Sequence, residues 1–295
     1  MARIIEPLLG TRAEIEVVAA SGPTARTVED AIEAAVLAEV ARLEDIFTVF
    51  RPASALQRYR ASGTTESPEL QEVIGLAAHW HRRSAGFFHP GVQPIVDRWD
   101  RYEQTQTPPD HDELAQIVAT LDPAGGRALN LNGIAKGWIA EHALVGARAA
   151  QNELHSEPVN AWLSLGGDIV HRGPGTLVAG IEDPHRPYDN VAPFASIELS
   201  NEALATSGVA RRYWTIEGHS YAKVLDPRTG WPVEDVASAT VVAPDAATAD
   251  VLATIALIMP TEEFLGLARS EGAACFLVQR DGAVISSSDR FVRPS

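Results

Sequence analysis

Asp250 and Thr254 stand four residues apart, a spacing that puts two side chains on one face of a helix. Two oxygen donors so placed suit a hard cation such as Mg²⁺, which takes one or two protein carboxylates and fills its shell with water and phosphate. An acid near a helix start also stabilises its own helix, so the pair alone permits either reading. Leu129-Asn130-Leu131-Asn132-Gly133-Ile134-Ala135-Lys136-Gly137 reads as a strand end, a tight glycine turn and a helix start with a lysine in its first turn. Unpaired N–H groups and partial positive charge at a helix N-terminus attract phosphate, and Lys136 adds a full charge. Such turns are also plain connectors. Leu163-Ser164-Leu165-Gly166-Gly167-Asp168-Ile169 puts two glycines at a strand end, where backbone can approach a flat or phosphorylated ligand, or where a β-bulge sits. Ala205-Thr206-Ser207-Gly208 offers two hydroxyls at a strand-to-loop junction, suited to a nucleotide and equally to an ordinary turn.

Helices and strands must position these groups. Thr27 to Asp30 reads as a capping box, after which Ile32, Val36, Val40, Leu43 and Phe47 recur as one buried stripe. Ser67-Pro68 starts a second helix that Gly86 stops, and Asp110 with Glu113 starts a third. Asp245 starts a fourth, running through Val251, Leu252, Ile255 and Met259 to Pro260. Strands are expected at 13–19, 127–131, 161–165, 176–182, 195–200, 213–216, 221–225, 238–243 and 274–279. Glu217-Gly218 and Asp281-Gly282 read as hairpin turns. Strands and helices come in blocks, which argues for α+β with mixed or antiparallel sheet and packed helices rather than a doubly wound nucleotide fold. The polar stretch at 104–110 reads as a surface loop, so residues 1–295 are expected to form one domain.

Composition closes off several classes. With 45% apolar residues the 295-residue chain can bury a full core. Its formal charge of -15 repels phosphate backbones and anionic lipid, so nucleic acid is excluded as a partner, while a small anion can still bind at local cations or a metal. Cys275 is the one cysteine, which rules out an internal disulfide and a Cys-rich zinc site; its apolar neighbours mark it as core. His79 and His81 are two apart on a helix, diverge, and read as surface. No G-x-S-x-G elbow and no G-x-G-x-x-G turn occur. No stretch approaches the roughly 20 apolar residues of a membrane span, and the N-terminal residues lack a secretory pattern, so the expected compartment is the cytoplasm.

Taken in order, these segments resemble the ApbE family, the FAD:protein FMN transferases. The likeness is carried by Leu9-Gly10-Thr11, by Thr48-Val49-Phe50-Arg51-Pro52 with Ser54 and Leu56, and by Phe88 with Pro90, Val92, Pro94, Val96 and Trp99. It continues through the glycine segments, Ala205-Thr206-Ser207-Gly208, Tyr221, Asp226-Pro227-Arg228-Thr229-Gly230 with Pro232-Val233, and Ala249-Asp250 with Ala253-Thr254. The resemblance implies a T-fold-like α+β domain holding FAD in a cleft with Mg²⁺ beside the pyrophosphate. It implies metal ligation by the Gly133 carbonyl and the Asp250 and Thr254 side chains. Flavin contacts would come from Leu9, Phe50, Phe88, His89, Asn130, Lys136, Gly166, Gly167, Thr206, Ser207 and Gly208; an aromatic ring at position 50 can stack on a flat ligand. The implied reaction is attack by a threonine hydroxyl of an acceptor flavoprotein on the FMN-side phosphorus, with AMP leaving and Lys136 neutralising charge. The family's Y-S-H before D-P-R-T-G is Tyr221-Ala222-Lys223 here, so Lys223 takes the place of the implicated histidine. His89 replaces an aspartate, Gly91 and Gln93 replace the T and G of T-V-G-P, and Asn130 replaces another aspartate. An FAD pyrophosphatase and a non-catalytic FAD-binding protein are the alternatives these departures leave open.

Overall fold

A computed structural model describes all residues except 1, 9, 20–21, 23–24, 153–158, 187–191, 211 and 295; the side chains of 6–8 and 148–152 are also outside the description. The chain opens with a hairpin, β1 (Arg3–Leu8) and β2 (Thr11–Val18), then runs through α1 (Ala25–Phe47), α2 (Ala55–Ser62), α3 (Pro68–Arg83), α4 (Gln93–Thr105) and α5 (His111–Val118). A 3-10 turn (Gly126–Ala128) precedes α6 (Ala135–Asn152). Seven strands follow: β3 (Asn160–Leu165), β4 (Asp168–Arg172), β5 (Leu177–Ile181), β6 (Ala195–Leu199), β7 (Ala203–Gly208), β8 (Tyr213–Ile216) and β9 (His219–Ala222). The chain closes with β10 (Val236–Ala243), α7 (Ala246–Ala256), α8 (Thr261–Ser270), β11 (Ala274–Gln279) and β12 (Val284–Ser286).

Eight strands form one sheet in the order β1-β2-β3-β4-β7-β10-β11-β12, and β5-β6 and β8-β9 are separate hairpins. Every pairing among the described strands is antiparallel. Alternation decides which face each side chain meets. Ala13, Ile15 and Val17 on β2, Leu163 on β3 and Val170 on β4 join the core under α1, α6 and α7. Leu204, Val242, Phe276 and Val278 emerge on the other face beneath the β5-β6 hairpin. All eight residues of β10 are buried because both of its faces are covered. A third apolar group joins α4, α5 and the β8-β9 hairpin through Trp99, Tyr102, Leu114, Trp214 and Leu225. No helix of the described residues is long and apolar enough to cross a membrane.

Most element starts follow from caps. Ser67 accepts from Leu70 N and Pro68 fills the first helical position; Asp110 accepts from Asp112 N and Glu113 N; Asp245 accepts from Thr248 N. Glu217 and Gly218 both have positive φ, as a two-residue hairpin turn requires, and Gly282 turns β11 into β12. The differences are local. Thr27 lies inside α1, which begins at Ala25, and Arg26 instead pairs with Asp30 one turn on. Thr27 to Asp30 is therefore no capping box, although the expected stripe from Ile32 to Phe47 is buried. Residues 127–131 form no strand: Arg60 takes the Leu129 carbonyl and Asn130 N–H donates to Pro90, so this backbone is satisfied without a sheet. The fourth helix ends at Ala256, three residues before Met259. Cys275 is core, where burial pushes its thiol up to about 12.

Candidate active site

The chemistry gathers where α6 starts against α7. Glycine is required at 137 because a Cβ there would lie 2.2 Å from the Ala246 carbonyl oxygen and 2.9 Å from Asp250 Cβ. This close approach brings the Gly137 N–H, one of the donors a helix start leaves free, within 3.0 Å of Asp250 Oδ2. Asp250 is 4% exposed. Burial pushes its carboxyl above the ordinary range, and the Lys136 charge and the Gly137 N–H oppose that shift. One helical turn away, Thr254 Oγ1 lies 3.5 Å from Ser207 Oγ, and Gly133 packs so closely that a Cβ would sit 3.0 Å from the same hydroxyl. Gly133, Asp250 and Thr254 therefore converge, and Ser207 joins them from β7.

Asp168 completes this centre, a residue that its type and spacing in the sequence do not single out. The β3-β4 turn needs positive φ at both Gly166 and Gly167 and delivers Asp168 to the first position of β4, on the face carrying Val170 towards the helices. Asp168 is 1% exposed; Oδ2 pairs with the Lys136 ammonium and Oδ1 accepts weakly from Thr206 N at 3.4 Å. Burial pushes Lys136 down from its ordinary value, Asp250 works against that, and the Arg212 guanidinium adds to it. The detectable signal was an acid after Gly-Gly that shares strand parity with buried valine.

The remaining expected residues divide. Thr206 and Ser207 lie within β7 rather than at a loop, so period-two alternation sends them to opposite faces. Ser207 meets Thr254 Oγ1, whereas Thr206 Oγ1 lies 2.9 Å from Thr240 Oγ1. Gly208 ends the same strand. Phe88 is buried and its ring borders Gly133. His89 contacts a different set: its ring stands edge to face with His81, 4.6 Å between centroids, and Nδ1 accepts from Gly91 N. His81 is accordingly half-buried rather than a surface group, with Nδ1 3.0 Å from the Phe88 carbonyl oxygen. Asn130 is buried, donates to Gln93 and accepts from Asn132 N. Arg60 flanks it, half-buried and bonded through Nε and Nη2 to the Leu129 carbonyl; burial pushes its pKa down against the attraction of Asp97. Phe50 is 88% exposed on the loop after α1. Leu9 lies outside the described residues.

Lys223 follows β9, and its ammonium lies 3.9 Å from Asp100 and 3.8 Å from Glu103 on α4, and 5.1 Å from the Trp214 ring centre. No described contact joins it to Asp250 or Asp168. The Asp226–Gly230 loop beside it is braced: Asp226 binds Arg228, Arg228 lies over the Phe87 ring, and the Gly230 carbonyl accepts from Trp99 Nε1.

One buried carboxylate, two hydroxyls and a nearby glycine backbone are hard oxygen donors, the set that suits a small divalent cation and not zinc. Among the described residues no three His, Cys, Asp or Glu side chains gather in metal-binding geometry. The ApbE family model matches residues 9–277, and the chain belongs to the ApbE family. It is 26% identical over 288 residues to an FAD:protein FMN transferase of Klebsiella pneumoniae strain 342, covering 90% of this chain and 87% of that one. An FAD:protein FMN transferase of Haemophilus influenzae is 27% identical over 280 residues, covering 83% and 78%. The ApbE protein of Thermotoga maritima superposes with a TM-score of 0.82 at 25% identity, covering 98% of this chain and 97% of that one. The Pseudomonas stutzeri flavinyl transferase ApbE shares the fold with a TM-score of 0.74 at 22% identity over 97% and 95%.

Proposed function

We propose that this chain transfers the FMN moiety of FAD to a threonine hydroxyl of an acceptor flavoprotein, releasing AMP, with Mg²⁺ at the Asp250 centre. The observation that carries the reading is the convergence of Asp250, Thr254, Gly133 and Ser207 beside the Lys136 ammonium at the start of α6. The acceptor threonine oxygen bonds to the FMN-side phosphorus, the bridging P–O bond breaks, AMP leaves with the electron pair, and the hydroxyl proton passes to solvent. Asp250, Thr254 and the Gly133 carbonyl would hold the metal, which supplies charge neutralisation at the pyrophosphate when bound. Lys136 contributes a fixed cation beside the developing negative charge, in a site where the surrounding protein strengthens its effect. Backbone at Gly166, Gly167 and Gly208, with Ser207, Phe88, Asn130, His89 and the exposed Phe50 ring, is assigned to the flavin, whereas Thr206, whose hydroxyl turns to Thr240 on the other face of β7, is not. Lys223, seated among Asp100, Glu103 and Trp214, is assigned a cationic role at the rim rather than that of a base.

The test incubates the purified protein with FAD and Mg²⁺, with and without a threonine-bearing acceptor peptide, and measures AMP and the flavin attached to peptide. Acceptor-dependent AMP with flavinylated peptide is the expected result, and Asp250→Ala should lower it by about 100-fold or more. AMP without acceptor would make the chain a pyrophosphatase, and retained FAD without turnover would make it a flavin-binding protein.

A further inference from the structure

Asp168 lies outside the proposed ligand set, yet it is buried as fully as Asp250. Three charges meet here: the buried carboxylates of Asp168 and Asp250 and the ammonium of Lys136, whose side chain is partly exposed. Lys136 feels the charge of Asp250, but its ammonium is bound to Asp168 Oδ2 and forms no ion pair with Asp250 among the described contacts. A flexible four-carbon stem can move an ammonium between two nearby acids, so something must decide which it takes. The Gly166-Gly167 turn fixes Asp168 at the first position of β4, where Oδ1 faces Thr206 N, whereas Asp250 Oδ2 is engaged by the Gly137 N–H.

We infer that Asp168 is a positioning residue that holds the Lys136 ammonium off Asp250, keeping that carboxylate open to a divalent cation and the lysine fixed beside it. Were Asp168 neutral, the ammonium would turn to the one remaining buried carboxylate and compete with the cation for it. Groups that orient ligands from behind commonly change metal affinity by about 10–100-fold when mutated. The inference rests on the proposed metal role of Asp250, and it separates from the flavin reading because metal binding is measured without FAD.

The experiment titrates Mn²⁺ alone into the wild-type protein, Asp168→Asn, Lys136→Met and the double variant, following free Mn²⁺ by its electron paramagnetic resonance signal, with a thermal melt of each. Asp168→Asn should weaken Mn²⁺ by about tenfold or more, and the double variant should recover it, because no ammonium remains to occupy Asp250. A simple loss of packing would instead leave the double variant at least as weak as Asp168→Asn. The melts carry a second readout: Lys136→Met strands a buried carboxylate and should be destabilised, and adding Asp168→Asn should restore stability. In an assay with FAD and acceptor, Asp168→Asn should lower kcat more than it raises KM for FAD. Unchanged Mn²⁺ affinity in Asp168→Asn, no recovery in the double variant, or a wild-type protein that binds no Mn²⁺ would each overturn the inference. AMP release without any Mn²⁺ effect would overturn it while leaving the flavin chemistry standing.

Discussion

Lys136 and Lys223 are both lysines drawn up to acidic side chains, but their surroundings differ. Lys136 meets a carboxylate that is 1% exposed, between a sheet and two helices, with glycine at 137 allowing the helices to touch. Lys223 meets two partly exposed acids at 3.8–3.9 Å, on a hairpin seated against α4 by Trp99 and Trp214, whose rings stack 5.4 Å apart. The inner lysine is held by electrostatics that burial makes strong and costly to disturb; the outer one is held by the ring packing beneath it, with exposed ion pairs worth little. Position is therefore encoded in different residues in the two regions, in charges for one and in aromatic rings for the other.

The largest effect expected is on the outer region. Trp99→Ala removes a fully buried ring that contacts Tyr102, Trp214, Tyr221 and Trp231, and should cost about 3–5 kcal/mol in urea unfolding. If the two regions are built independently, the folded variant should still bind Mn²⁺ like wild type; lost binding would show that the aromatic unit supports the inner centre as well. Next comes Gly137→Ala, whose methyl group meets the Ala246 carbonyl oxygen. Separating α6 from α7 should cost about 1–3 kcal/mol and break the Gly137–Asp250 hydrogen bond, so Mn²⁺ affinity should fall while the Trp99 fluorescence environment stays unchanged.

The same contrast explains what could be read from the sequence. Helix caps at Ser67, Asp110 and Asp245 and the Glu217-Gly218 turn are local chemistry, and each appears where expected. The α+β class followed from strands and helices arriving in blocks. The strand expected at 127–131 failed because its hydrogen-bond partners, Arg60 and Pro90, are distant in sequence and no local pattern announces them. The inner centre was legible in part: glycine turns and the Asp250–Thr254 spacing pointed to it, whereas Asp168 gained its role only when β4 was laid beside α6. Thr206 and Ser207 looked like one loop motif, and only their membership of a strand separates their faces. His81 looked like a surface group because its contact with His89 depends on the chain returning after Gly86.

A smaller effect, confined to acid pH, concerns the His81–His89 pair, which belongs to neither region. Burial first, and the charge of His81 second, push His89 down to about 4, with Asp122 opposing. A folded-state value below the unfolded one means that the unfolded chain binds the extra proton, so stability is full above about 6.5 and falls as pH drops towards 4. Thermal melts between pH 4 and pH 7 should show this decline, and His89→Phe should flatten it. A slope unchanged in the variant would assign the acid sensitivity to another group.

The smallest stability effect is expected at Lys223, and it separates holding from acting. Its ammonium is partly exposed and its acids are engaged elsewhere, Asp100 by Trp214 Nε1 and Glu103 by Thr215 N. Those bonds survive without the lysine, so Lys223→Ala should cost less than about 1 kcal/mol and leave Mn²⁺ binding intact. Any large change in AMP release must then come from the lysine's charge at the rim rather than from collapse of the hairpin. Lys223→Arg keeps that charge and Lys223→His restores the ring that the family motif carries at this position. Activity retained in the arginine variant and lost in alanine would assign a cation; activity raised by histidine alone would show that proton transfer limits this chain and that its lysine does not supply it. If alanine and wild type release AMP equally, Lys223 is part of the aromatic scaffold, and the chemistry belongs to the inner lysine and Asp250.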